Sequence, residues 1–126
     1  MPNVLCINDD PRTLAIREAI LHAKGFHVFS VSKAVDGISL ADQHNFDVVV
    51  LDYSMPDVNG EEVARMLRQE HPSLPIILCS GHDEVPESAF KLVDAFVSKG
   101  DAPEFLVKTI ESVLRRKNEG RRDRSA

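Results

Sequence analysis

The chain has 126 residues, 43% of them apolar, and a net charge of −5, the profile of one globular domain rather than a disordered or fibrous chain. No apolar run approaches the roughly 20 residues of a membrane span, and the first residues, MPNVLCINDD, lack the basic and apolar regions of a signal peptide, so a cytoplasmic location is expected. Residues 1–114 hold 18 acids against 9 bases while 115–126 hold 6 bases against 2 acids, so the body excludes charge-driven binding of nucleic acid and the tail reads as a solvated end or a linker.

In chain order, the apolar run 4–7 predicts a strand that ends in Asn8, Asp9 and Asp10. A helix over 11–24 follows, with Asp10 as its cap, Pro11 at its first position and Lys24-Gly25 as its stop. Ile16, Ala19, Ile20 and Ala23 recur in it at helical spacing and predict its buried face. A strand at 27–31 leads to a helix at 34–44 that Gly37 interrupts. The run Val48, Val49, Val50 and Leu51 reads as a buried parallel strand and ends in one carboxylate, Asp52. A Met-Pro turn comes next, and Asn59-Gly60 opens a helix over 60–70. A strand at 76–79 ends in Ser80-Gly81, a helix is expected at 84–92, and a strand at 95–97 ends in Ser98-Lys99-Gly100. The last helix, 102–117, carries Leu106, Ile110, Val113 and Leu114 on one side. Cys6 and Cys79 each lie inside an apolar run, which predicts buried free thiols rather than a disulfide, and their spacing matches no zinc pattern.

Five strand–helix units predict an α/β fold: a flavodoxin-like, doubly wound (βα)5 three-layer sandwich with parallel sheet order 2-1-3-4-5. Residues 1–118 form its single domain, and 119–126 a basic flexible tail or the start of a linker. In this order the first and third strands lie side by side, and ligands bind at the carboxyl ends of the strands where the order reverses. Asp9, Asp10 and Asp52 should therefore meet, with Ser80 and Lys99 arriving from the fourth and fifth strands. Two like charges ~4 Å apart cost about 4 kcal/mol at an effective dielectric of about 20. A raised pKa, a lysine or a metal must offset this. Lys99 is one partner, and Mg²⁺, which prefers oxygen ligands, keeps waters and meets phosphates, is the other. A carboxylate so placed can act as a nucleophile toward phosphorus, with lysine and metal neutralising the transferred group and the Ser80 hydroxyl donating to a phosphate oxygen.

Over residues 3–117 the sequence resembles the receiver domain of a two-component response regulator. The likeness rests on the acids after strand 1, the Asp-x-x-Met-Pro-x-x-Asn-Gly setting of Asp52, Ser80 after strand 4 and Lys99 after strand 5. It implies that Asp52 is the phosphoacceptor, taking a phosphoryl group from a histidine kinase's phosphohistidine, a phosphotransfer protein or a small phosphodonor. It implies Mg²⁺ ligation by Asp9, Asp52 and the Ser54 carbonyl, with Asp10 as a further acid. Ser80 and Phe96 would form the switch, and strand 4, helix 4 and strand 5 the surface that controls a partner or a fused output domain, with a phosphorylation-linked homodimer as a family expectation. The domain would be a signalling switch and not an enzyme beyond its own phosphorylation and dephosphorylation, with no direct role at nucleic acid or membrane. Two positions depart from the family pattern: Asn8 stands where a first acid is expected, and Gly100 follows Lys99 where proline is usual, often with a cis bond.

The plainer readings are a helix cap for Asp10, a strand-end turn former for Asp52, a loop hydroxyl for Ser80, a solvated lysine for Lys99 and core packing for Phe96. His22, His27, His44, His71 and His82 show no ligand spacing and read as surface or satisfied residues. His82, Tyr53 and Ser54 flank the site and are candidates for controlling water access to a phosphoryl group. The rival functions are a phosphorylation-independent adaptor, supported by Asn8 and Gly100 alone; an aspartyl-phosphate hydrolase, opposed by Ser54 where a second acid is needed and by the lack of room for a cap; and a flavin protein, opposed by the acids after strand 1.

Overall fold

Val48, Val49, Val50 and Leu51 are all fully buried, the state of a central parallel strand covered on both faces. The structure is a computed structural model that describes residues 1–56, 58–81 and 85–125, the last six by their backbone alone. Its elements alternate as β1 (Asn3–Ile7), α1 (Pro11–Ala23), β2 (His27–Val31), α2 (Ala34–Gln43), β3 (Val48–Asp52), α3 (Gly60–Glu70), β4 (Ile76–Ser80), α4 (Glu87–Phe90), β5 (Ala95–Ser98) and α5 (Pro103–Ser125). The sheet has the order β2-β1-β3-β4-β5 with every pair parallel, the flavodoxin-like arrangement expected. β1 and β3 are neighbours in the register Val4–Val48 to Ile7–Leu51, so the residues after them emerge together.

Alternation along each strand divides the interior into two cores. Val4, Cys6, Val48, Val50, Ile77 and Cys79 face Leu14 and Leu21 of α1 and Leu106, Val107, Ile110 and Val113 of α5. Leu5, Ile7, Val49, Leu51, Ile76 and Leu78 face Ala41, Val63, Ala64, Leu67 and Ala89 from α2, α3 and α4. Both cysteines are buried and free. Burial pushes the Cys6 thiol up to about 12 and the Cys79 thiol up to about 11, so neither forms a thiolate readily. Among the described residues no helix is long and apolar enough to cross a membrane.

Four expectations need correction. Of the stripe Ile16, Ala19, Ile20 and Ala23 only Ile20 packs against the core; Leu14 and Leu21 are buried instead, Ile16 is 57% exposed, and Arg17 lies part-buried on the core side. The spacing misled because a charged residue, Arg17, lies between the two buried leucines. The fourth helix, expected at 84–92, is among the described residues the single turn Glu87–Phe90, residue 84 lying outside them. The chain leaves it early because Arg68 of α3 donates from Nε and Nη2 to the Leu92 carbonyl and from Nη2 to Asp94, whose carboxylate also accepts the Ile76 N–H. Those bonds fix residues 92–94 in a non-helical path into β5. The last helix runs beyond the expected end at 117 to Ser125. Gly37 does not weaken α2 but permits it: a Cβ there would collide with Ile7 Cδ1 and stand 2.8 Å from Ile7 Cγ1, so glycine lets α2 lie close on β1.

Candidate functional site

Asp52 is the last residue of β3 and shares the parity of Val48 and Val50, so it lies on the α1/α5 side of the sheet, at its carboxyl edge. It is 1% exposed. Lys99 Nζ stands 3.1 Å from Asp52 Oδ1 as an ion pair, and among the described residues neither carboxylate oxygen has a well-formed hydrogen bond. Burial holds the Asp52 carboxyl above its ordinary pKa; the Lys99 ammonium pulls it down, the Asp9 charge adds to the rise and the Arg17 charge opposes it. A buried carboxylate with open lone pairs is a group in want of a cation or a covalent partner.

The lysine is set by β5 and the turn after it. The Lys99 N–H donates to the Ser80 carbonyl at 2.9 Å. The Ser98 N–H donates to Asp101 Oδ2 at 3.0 Å, and the Asp101 N–H returns to the Ser98 carbonyl at 3.0 Å. Among the described residues no peptide bond is cis. Gly100 therefore leaves Lys99 within reach of Asp52, because the Ser98–Asp101 turn holds the loop where proline is usual in the family.

On the β1 side Asn8 is buried, 2% exposed. Its N–H donates to the Val31 carbonyl at 3.1 Å, and its Oδ1 accepts the Asp10 N–H at 2.9 Å. The amide thus shapes the turn that presents Asp9 to solvent. Asp10 caps α1: its carboxylate accepts from the Thr13 hydroxyl at 2.9 Å and the Arg12 N–H at 3.0 Å, and these bonds, Thr13 first, hold its carboxyl below the ordinary value. Asp9, Asp10 and Asp52 do not form a group with one ligand atom each all within 4.8 Å of one another. Among the described residues the three-ligand group is Asp42, Glu70 and His71, at the ends of α2 and α3 and so at the opposite edge of the sheet, where His71 Nε2 meets Asp42 Oδ1 at 2.8 Å.

Ser80 ends β4 fully buried and lies in register with Ser98. Phe96 is part-buried against the α2/α3 core, edge-on to Phe90 of α4 with centroids 5.3 Å apart. Asn59 caps α3 through the Glu62 N–H at 3.0 Å. The Gly60 N–H donates to the Tyr53 carbonyl at 2.7 Å, and a Cβ on Gly60 would stand 2.6 Å from Tyr53 Cα and 2.9 Å from the Asp52 carbonyl oxygen. The glycine is thus part of the site, since it allows α3 to begin directly against the residues after Asp52. Ser54 lies exposed in that loop. His82 lies outside the described residues. The sequence reading missed Arg17, whose charge reaches Asp52; its only signal was a basic residue between Leu14 and Leu21 at three and four positions' spacing.

A buried strand-end carboxylate, a lysine at 3.1 Å and a buried serine thus stand at the carboxyl edge of the adjacent strands β3, β5 and β4. The model of the response regulator receiver domain family matches residues 4–113, and the chain belongs to that family. It is 29% identical over 116 residues to the cell cycle transcriptional regulator CtrA of Caulobacter vibrioides, covering 90% of this chain and 50% of that protein; the chain thus spans about half the length of the curated relatives it matches. In fold it is similar to a CheY-like receiver domain from Methanospirillum hungatei, with a TM-score of 0.89 and 24% identity over 95% of this chain and 98% of the other. It is also similar to the response regulator TrrA of Thermotoga maritima, with a TM-score of 0.83 and 23% identity over 90% of this chain and 99% of that one; TrrA has been solved with Mg²⁺ and beryllofluoride and with the histidine kinase ThkA. Receiver domains are signalling switches of two-component systems, not classical enzymes.

Proposed function

We propose that the chain is a phosphorylation-controlled switch whose phosphoacceptor is Asp52. The observation that carries this is the buried Asp52 carboxylate, with Lys99 at 3.1 Å and, among the described residues, no well-formed hydrogen bond to either oxygen. One carboxylate oxygen attacks phosphorus; the bond from phosphorus to the donor's imidazole nitrogen, or to the oxygen of a small acyl phosphate, breaks, and its electron pair leaves with the donor. Asp9, Asp52 and the Ser54 carbonyl would hold a Mg²⁺ ion, with Asp10 engaged in capping; when bound, the ion would supply positive charge to the transferred group. Lys99 takes the phosphoryl oxygens nearest β5, and the Ser80 hydroxyl donates to another. Movement of Ser80 and Phe96 then biases the β4–α4–β5 face between two pre-existing conformations. A coupling of about 1–3 kcal/mol would change partner affinity roughly 5- to 150-fold.

The donor class is a histidine kinase or phosphotransfer protein, as the complex of TrrA with ThkA suggests for a relative of the same fold. The receiver of a longer regulator, with 119–126 beginning the linker, is in keeping with the half-length match to CtrA. A cytoplasmic setting and a phosphorylation-linked homodimer belong to the same reading. Intact-mass spectrometry after incubation with acetyl phosphate tests it. A single phosphoryl adduct that needs Mg²⁺ supports the switch; absence of an adduct, with beryllofluoride also failing to bind, would replace it with the phosphorylation-independent adaptor.

A further inference from the structure

Arg17 occupies a core position on α1. It lies one turn from both Leu14 and Leu21, which pack in one cluster with Cys6 of β1, Val50 of β3 and Cys79 of β4. Its Nη1 is sealed from solvent and, among the described residues, has no hydrogen-bond partner. The side chain also lines, with Thr13, Ser98 and Lys99, a cleft of about 160 Å³ between α1 and α5. Burial is the main influence on Cys6, Cys79 and Asp52, and at both thiols the Arg17 charge is the strongest force opposing it. Its place between Leu14 and Leu21, which pack on the side of the sheet that carries Asp52, and beside Lys99 in the cleft sets the guanidinium on the Asp52 side of the sheet. A guanidinium nitrogen sealed from solvent without an acceptor is costly and calls for an anionic counterpart nearby.

With Asn8 uncharged and Asp10 bonded to Thr13 and the Arg12 N–H, the acids beside the site are Asp9 and Asp52, with Asp101 engaged by the Ser98 N–H at the mouth of the cleft, and the cations are Lys99 and Arg17. We infer that Arg17 is a resident second cation of the phosphoacceptor pocket, which balances its charge from within and so makes it favour an anionic group and bind divalent cations weakly. The inference rests on the phosphoacceptor reading for its purpose but not for its test. A fixed positive charge on the Asp52 side of the sheet repels an incoming dication through a poorly screened interior.

The test is Mg²⁺ affinity by isothermal titration at constant ionic strength for the wild type, Arg17→Met and Arg17→Lys, with Arg17→Leu in place of the methionine variant should that not fold. Removal of the charge should tighten Mg²⁺ binding about tenfold, and Arg17→Lys should stay within about twofold of wild type because it keeps the charge while losing the fork geometry. Equal affinity in Arg17→Met and wild type would overturn the inference and leave Arg17 with a bridging water as its counterpart. Tightening by Arg17→Lys as large as by Arg17→Met would also overturn it, since packing and not charge would then be the cause. Exposure of the same samples to acetyl phosphate separates the two readings: tightened Mg²⁺ binding with no phosphoryl adduct would sink the phosphoacceptor function and leave the role of Arg17 standing.

Discussion

Asp52 ionises against its surroundings, and that sets a pH dependence. Burial raises its folded-state pKa above the unfolded value, so the fold binds this proton more tightly than the unfolded chain does. The contribution to stability is fully present below the ordinary carboxyl pKa and is lost as pH rises through the raised value. Asp52→Asn should therefore stabilise the protein by about 1–2 kcal/mol at neutral pH, with the advantage vanishing near about pH 3 where the wild-type carboxyl is protonated. Thermal melts of both proteins at pH 3, 5 and 7 check this, and an equal or lower midpoint for the variant at pH 7 would contradict it. Asp52, Ser80 and Lys99 were legible in the sequence because a strand end fixes where a side chain emerges, and five alternating units fix which ends adjoin. Arg17 and the structural use of Asn8 were not. The phase of α1 is set by how it lies on the sheet, which neighbouring elements decide, and an Asx turn depends on backbone dihedrals that residue type alone leaves open.

The elements hold the site through two close backbone contacts. α3 starts hard against the residues after Asp52, where a Cβ on Gly60 would meet backbone rather than a yielding side chain. Gly60→Ala should cost about 1–3 kcal/mol in urea unfolding and displace the Asp52 loop; an unchanged midpoint would show that the helix start can shift freely. Arg68 joins α3 to the path into β5, donating also from Nη1 to the Pro72 and Leu74 carbonyls at 3.0 and 3.1 Å. Arg68→Ala should lose about 2 kcal/mol or more, and Arg68→Lys should recover less than half, since an ammonium cannot serve carbonyls on three sides. Full recovery by lysine would reduce the clamp to its charge pair with Asp94. The strands were readable nearly to the residue from their apolar runs. The fourth helix was not, because residues 91–94 are held by tertiary hydrogen bonds that no local pattern announces.

Across the whole molecule, packing along α5 thins toward the last residues whose side chains are described. Val113 is the last fully packed residue of α5 among those whose side chains are described, and Arg115, Arg116, Asn118 and Glu119 are exposed. Removal of 119–126 should leave the midpoint of thermal unfolding within about 2 °C, because the described core contacts of α5 end at Val113; a larger drop would show that the basic end packs on the domain.

The central claim is that Asp52 itself carries the phosphoryl group. Phosphorylation with acetyl phosphate and Mg²⁺, trapping with borohydride, and peptide mapping by mass spectrometry test it most directly, because hydride reduces an acyl phosphate and converts the modified aspartate to homoserine. The account predicts homoserine at position 52 and at no other acid, and none in Asp52→Asn. Homoserine at position 9 or 10 with an intact Asp52, or trapping undiminished in Asp52→Asn, would contradict it.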